Sequence, residues 1–180
     1  MTRGFCATLV VVGCAMLLRT VCLAQITFVP GPQRSVPPGP TFAAAARDLD
    51  GDGIADMVVS HTLTAKITVL FGSTDGSFKS AITRQVGRLL RGVTTADFNG
   101  DHNEDIAVVD VDLSRVFILA GDGSGGLNPT GNFVVARSGP YGIATGNFDN
   151  KKDASKDGGP DIVTANGNAD NISTLFNKGR

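Results

Sequence analysis

The sequence has no tryptophan, a single tyrosine and three cysteines, and its charged residues, at 18%, fall below the ~25% of ordinary globular chains. Scarce charge together with 23 glycines excludes coiled coils and long helical bundles, which need a charged, glycine-poor composition. A net charge of −1 lacks the basic footprint of a nucleic-acid binder. The longest uncharged apolar run, residues 5–18, falls short of the about 18 to 20 residues of a membrane-crossing helix. Cys6, Cys14 and Cys22 all lie in the first 24 residues, so the remaining chain has neither a thiol nucleophile nor a disulfide. Its two histidines, His61 and His102, are near no serine motif of the nucleophile-elbow type.

What is present begins with a leader. Arg3 precedes the apolar run, and Cys22-Leu23-Ala24 offers small residues at −3 and −1, so residues 1–24 read as a secretory signal peptide and 25–180 as the mature domain. A retained N-terminal anchor is the competing reading. Secretion places the domain outside the cell, or in the periplasm of a bacterium, with no membrane span. Loss of Arg3 and Arg19 leaves 14 basic against 17 acidic residues.

The acids are periodic. Related acidic segments begin at 48, 97 and 147, a spacing that signals a propeller or solenoid. A run of small residues precedes each segment (42–47, 92–96, 142–146) and a β-rich run follows it (56–60, 105–110, 161–165). ITVLFGSTDGSF at 67–78 then aligns without gaps on VFILAGDGSGGL at 116–127, a strand and a glycine-rich turn. Each period reads as four short strands, one propeller blade. Ala43 to Ala46 favour a helix on propensity, but Gly92-Val93-Thr94-Thr95 and Gly142-Ile143-Ala144-Thr145 stand in their place in the other periods, so the alanines read as an innermost strand.

Oxygen ligands at positions 1, 3, 5 and 9, with the carbonyl of position 7, can converge on one hard cation. The first loop supplies Asp48, Asp50, Asp52 and Asp56 with the carbonyl of Ile54; the second supplies Asp97, Asn99, Asp101 and Asp105 with Asn103 at the carbonyl position. The third supplies Asn147, Asp149, Asp157 and Asp161 with the carbonyl of Gly159, and carries an insertion at 150–156. Calcium suits such loops because magnesium demands a stricter octahedron. Up to three Ca2+ sites are expected. This spacing is not an EF-hand, since position 12 is Val59 or Val108 inside a strand rather than a glutamate. Solvated acidic turns without metal are the alternative. Glycines at positions 4 and 6 permit the positive φ of a tight curl, and His102 at position 6 must then accept it.

The DxDxDGxxD loop followed by a VLFG or ILAG strand resembles the FG-GAP or VCBS repeats of integrin α-chain-like β-propellers, over about residues 26–180. The resemblance implies an all-β, propeller-like array of about three four-stranded antiparallel blades whose loop residues, as named above, bind calcium. It also implies a non-catalytic module for extracellular protein interaction or adhesion; a carbohydrate-binding or carbohydrate-active propeller, or a piece of a larger one, is the alternative. The partner would be an extracellular protein or a glycan.

Three blades are fewer than the four to eight of closed propellers. Residues 26–29 precede the first loop at the distance at which Phe78 precedes the second, so they are a candidate fourth strand for the third blade. Pairing of two copies into a six-blade ring is another route to closure. The Pro-rich stretch 30–40 reads as an extended connector. Gly121, Gly123 and Gly126 form a GxGxxG, but no helical segment follows and Pro129 intrudes, so a hairpin turn is expected rather than a dinucleotide site.

Overall fold

A computed structural model of the chain describes residues 28, 30, 39–134, 139–149 and 159–178. The chain divides into a unit spanning Met1–Arg34, in which only Phe28 and Pro30 are described and neither is in a strand, and a unit spanning Ser35–Arg180. The leader, most of the candidate N-terminal strand and most of the Pro-rich connector therefore lie outside the described residues. Every strand belongs to the second unit.

Its described residues form eleven strands and no helix. The first sheet is β1 (Thr41–Arg47), β2 (Asp56–His61), β3 (Lys66–Gly72) and β4 (Phe78–Gln85), in that order. The second sheet repeats it with β5 (Leu90–Ala96), β6 (Asp105–Asp110), β7 (Arg115–Gly121) and β8 (Leu127–Val134). The third has β9 (Pro140–Gly146), β10 (Asp161–Asn166) and β11 (Asn171–Leu175), three strands among the described residues. All pairings are antiparallel. The alanine run is the first strand of its sheet, as its repeat counterparts imply, and the runs read as strands at 42–47, 56–60, 92–96, 105–110, 142–146 and 161–165 are recovered with ends that shift by one or two residues.

The sheets stack through their first strands, β1 against β5 and β5 against β9. Side chains alternate across a strand, so β6 sends Ile106 and Val108 to one face and Ala107 and Val109 to the other. Ile106 and Val108 join Val58, Ile67, Val69 and Phe71 of the first sheet in one core; Ala107 and Val109 join Ile162 of the third in another. A strand covered on both faces needs an unbroken apolar run, which explains IAVV in β6.

The glycine ending β3 or β7 has a steric cause. A Cβ on Gly72 would collide with the carbonyl oxygen of Ala55, and one on Gly121 with that of Glu104. Both carbonyls belong to position 8 of an acidic loop, so glycine lets the third strand close against the loop backbone. The GxGxxG segment is the β7–β8 turn, where the Asp122 N–H donates to the Gly126 carbonyl at 3.2 Å. Pro129 sits within β8 opposite Leu119, beside a register shift that spares a ladder bond. His61, expected just past a strand, is instead the buried last residue of β2 and hydrogen-bonds Thr68 Oγ1 through Nε2 at 2.8 Å.

Candidate metal centre

The acidic loops lie between the first and second strands of their sheets, and their curl is built from their own side chains. In loop one, Asp48 Oδ1 accepts the Gly51 N–H and Oδ2 the Gly53 N–H, both at 2.8 Å. Asp50 Oδ1 accepts the Asp52 N–H and Asp52 Oδ1 the Ile54 N–H. Loop two repeats the set: Asp97 accepts from Gly100, Asp101 and His102, Asn99 from Asp101, and Asp101 from Asn103. The curl requires positive φ at Gly51 (76°), Gly53 (82°) and Gly100 (77°), and His102 takes it at 69° without being a glycine.

Position 9 does something the sequence pattern does not announce. Asp56 Oδ2 accepts the Leu49 N–H and Oδ1 the Gly72 N–H, both at 2.8 Å and both buried. Asp105 does the same for Phe98 and Gly121, and Asp161 for Phe148 and Asn177. Each carboxylate thus clasps the start of its loop to the end of the third strand. Each oxygen has a second lone pair, so the clasp leaves capacity for a cation.

Ligand atoms of Asp48, Asp50 and Asp56 lie within 4.8 Å of one another, and among the described residues this is the group of three that could hold a metal ion. An all-oxygen set of this kind fits a hard divalent cation rather than zinc or copper. Asp52, grouped with these three by sequence, lies outside this group and, like Asp50, faces Lys79 of β4. The Lys79 ammonium pairs with Asp50 Oδ2 at 2.9 Å and with Asp52 Oδ2. These bonds, with the Ile54 N–H, pull the Asp52 carboxyl below its ordinary range, and Asp52 and Asp50 raise the Lys79 ammonium in turn. In loop three Asn147, Asp149, Gly159 and Asp161 are described, while Asp157 lies outside the described residues.

Two further residues belong to this surface. Glu104, at position 8 of loop two, faces Arg47 across the sheet boundary at 3.7 Å, and its Oε2 is buried without a hydrogen-bond partner. Burial raises its carboxyl pKa, Arg47 opposes this, and Asp97 and Asp48 reinforce it. Position 2 is an apolar anchor: Leu49 is buried in the core shared by the first two sheets, and Phe98 packs against the core shared by the second and third. The equivalent Phe148 is 50% exposed. Leu49 is also held through its carbonyl, which accepts the Gly125 N–H of the next sheet at 3.2 Å, and the Phe98 carbonyl accepts from Asn177 Nδ2 at 2.8 Å.

Burial pushes the Asp105 carboxyl up to about 6, with Asp101 and Asp97 adding to the rise and the Gly121 and Phe98 N–H groups opposing it. The native carboxyl therefore holds its proton more tightly than the unfolded one, whose ordinary value is 3.8. This contribution is complete at acid pH and is lost as pH rises from about 4 to about 6. Chelator-treated protein is expected to show that fall in its urea midpoint, and Asp105→Asn to flatten it. Parallel pH profiles for the two proteins would refute the assignment.

Repeated antiparallel sheets, stacked through their first strands and each carrying an acidic loop beside that strand, define an unclosed array of propeller-like blades. Residues 48–108, from Asp48 of loop one into β6, match the family model of the FG-GAP-like repeat. Comparison with curated proteins gives no match.

Proposed function

We propose that this protein is a secreted, calcium-binding, non-catalytic propeller-type module serving extracellular interaction or adhesion. The observation that carries the reading is the convergence of Asp48, Asp50 and Asp56 within an FG-GAP-like repeat, on a loop already curled by its own hydrogen bonds. Asp48, Asp50, Asp52 and Asp56 with the Ile54 carbonyl form one site. Asp97, Asn99, Asp101 and Asp105 with Asn103 form the second, and Asn147, Asp149, Asp157 and Asp161 with Gly159 the third. Calcium here is structural, since it neutralises clustered carboxylates and links metal binding to folding. Among the described residues no helix is long and apolar enough to cross a membrane, and the leader 1–24 would direct export.

Calorimetric titration of chelator-stripped protein with calcium tests the reading, and no heat of binding at millimolar calcium would sink it. Lys79 makes the test specific to loop one, because its ammonium opposes an incoming cation. Lys79→Met is expected to tighten one site by about three- to tenfold, as removal of a nearby, partly screened like charge should. An unchanged affinity would mean that Lys79 does not compete.

The partner is an extracellular protein or glycan, or a second copy that completes the ring. Among the described residues β11 is the edge of its sheet, and the exposed Ile172 (69%) and Phe176 (51%) near it support pairing of this kind. Sedimentation at micromolar concentration is expected to show dimers, and a strictly monomeric species excludes the second copy.

A further inference from the structure

Away from the acidic loops, the second residues of β1, β5 and β9 are Phe42, Arg91 and Tyr141. All three stand six residues before a loop begins, so the repeat places them at one register position on strands that lie side by side. The Arg91 guanidinium carbon is 4.7 Å from the centroid of the Phe42 ring and 5.1 Å from that of Tyr141. A cation stacked on two rings is held electrostatically and loses side-chain freedom.

The backbone fixes the same arrangement. Ser60 Oγ donates to the Arg91 carbonyl at 2.6 Å and accepts the Ala43 N–H at 3.3 Å, which ties β5 to β1 and β2. Gly92 allows β9 to approach closely, since a Cβ there would lie 2.8 Å from the Tyr141 carbonyl oxygen. Yet among the described residues the cation has no carboxylate partner. The arginine–carboxylate pairs among the described residues belong to Arg47 and Arg88, and Arg91 Nε is buried with no hydrogen-bond partner. Phe42, 46% exposed, leaves the sandwich open to solvent.

We propose that Arg91, held between Phe42 and Tyr141, anchors a carboxylate-binding site on the first strands of the array. Rings on the flanks leave the in-plane N–H edge of a guanidinium for a ligand, and a carboxylate takes two parallel bonds from that edge. The site stands at the opposite ends of these strands from the cation loops and does not depend on calcium.

The protein supplies its own probe, because Tyr141 is its sole tyrosine and there is no tryptophan. Tyrosine emission of the full chain is recorded during titration with sodium glucuronate and with N-acetylglutamate whose α-carboxyl is blocked as the methylamide, against glucuronamide and the likewise blocked N-acetylglutamine, with calcium and with chelator. A saturable change with a carboxylate that its amide does not produce is expected. Response to glucuronate alone identifies an acidic sugar, and response to both, or to N-acetylglutamate alone, a carboxylate presented as on a peptide side chain. Arg91→Lys, which keeps the charge and loses the fork, is expected to weaken binding by about tenfold or more. The Arg91 Nε–H resonance of the wild-type protein should move with the same ligands, a readout that needs no variant. No saturable response to either carboxylate, an equal response to the amides, or undiminished binding by a folded Arg91→Lys protein overturns the proposal.

Discussion

Replacing Asp56 by alanine is expected to lower folding stability by about 3–5 kcal/mol even with calcium chelated, because it orphans two buried N–H groups at about 1–3 kcal/mol each. The Asp56 carboxylate is the acceptor of both the Leu49 and the Gly72 amides, which lie where the loop meets the third strand. Asp56→Asn retains one acceptor oxygen and should lose roughly half as much on the same reasoning. An exposed turn residue is the control: Asp75 accepts the Ser77 N–H at the surface, and its alanine variant should lose far less than either. Urea denaturation in excess chelator measures all three. A loss below about 1 kcal/mol for Asp56→Ala would show that the clasp is dispensable, since single buried bonds rarely contribute less.

Calcium should raise the melting temperature by about 10–20 °C. A site saturated at a hundred times its dissociation constant adds about 2.7 kcal/mol, and a chain of this size gains roughly 2–4 °C per kcal/mol. Two filled loops then account for the expected rise. Scanning calorimetry with millimolar calcium and with chelator reads the difference, and coincident transitions would contradict a structural cation. The two roles of the loop acids separate in the same experiment. Asp48→Ala should abolish much of the calcium increment while changing the chelated protein less than Asp56→Ala does, because the Asp48 hydrogen bonds to Gly51 and Gly53 are exposed.

The division between these roles marks how far the sequence is readable. The repeat of acidic segments at 48, 97 and 147 discloses the sheets, since a strand must follow and precede each loop at the same distance. The alanine run Ala43–Ala46 becomes a strand only by comparison with Gly92–Thr95, and β1 bears this out. His102 at positive φ is likewise legible, because its neighbours in the pattern are glycines. Contacts set by pairing register are not legible. Lys79 reaches Asp52 across 27 residues of sequence, and a register shift between Phe71 and Gly72 intervenes between the strands that carry the alignment. No local spacing reports that. Position 9 reads as one more oxygen ligand, and its added role as a backbone clasp is not legible, because an aspartate that clasps backbone and one that binds a cation are the same residue type. The setting of Glu104 is illegible for a related reason: its neighbours Arg47 and Asp48 come from the preceding repeat, and sequence periodicity aligns repeats without saying how they abut.

The loop carbonyls that reach into the following sheet make each repeat a fastener for its neighbour. Gly125 holds Leu49, and Asn177 holds Phe98, so a melted loop weakens the repeat behind it as well as its own. Stability in such a chain is a sum of units and nearest-neighbour couplings, as in a row of links that opens from its weakest end. The third sheet supplies that end: its position-2 side chain, Phe148, stays half exposed while Leu49 is covered. Unfolding is therefore expected to begin at the third sheet and travel toward the first, because the half-exposed Phe148 contributes less to the coupling that the whole row shares.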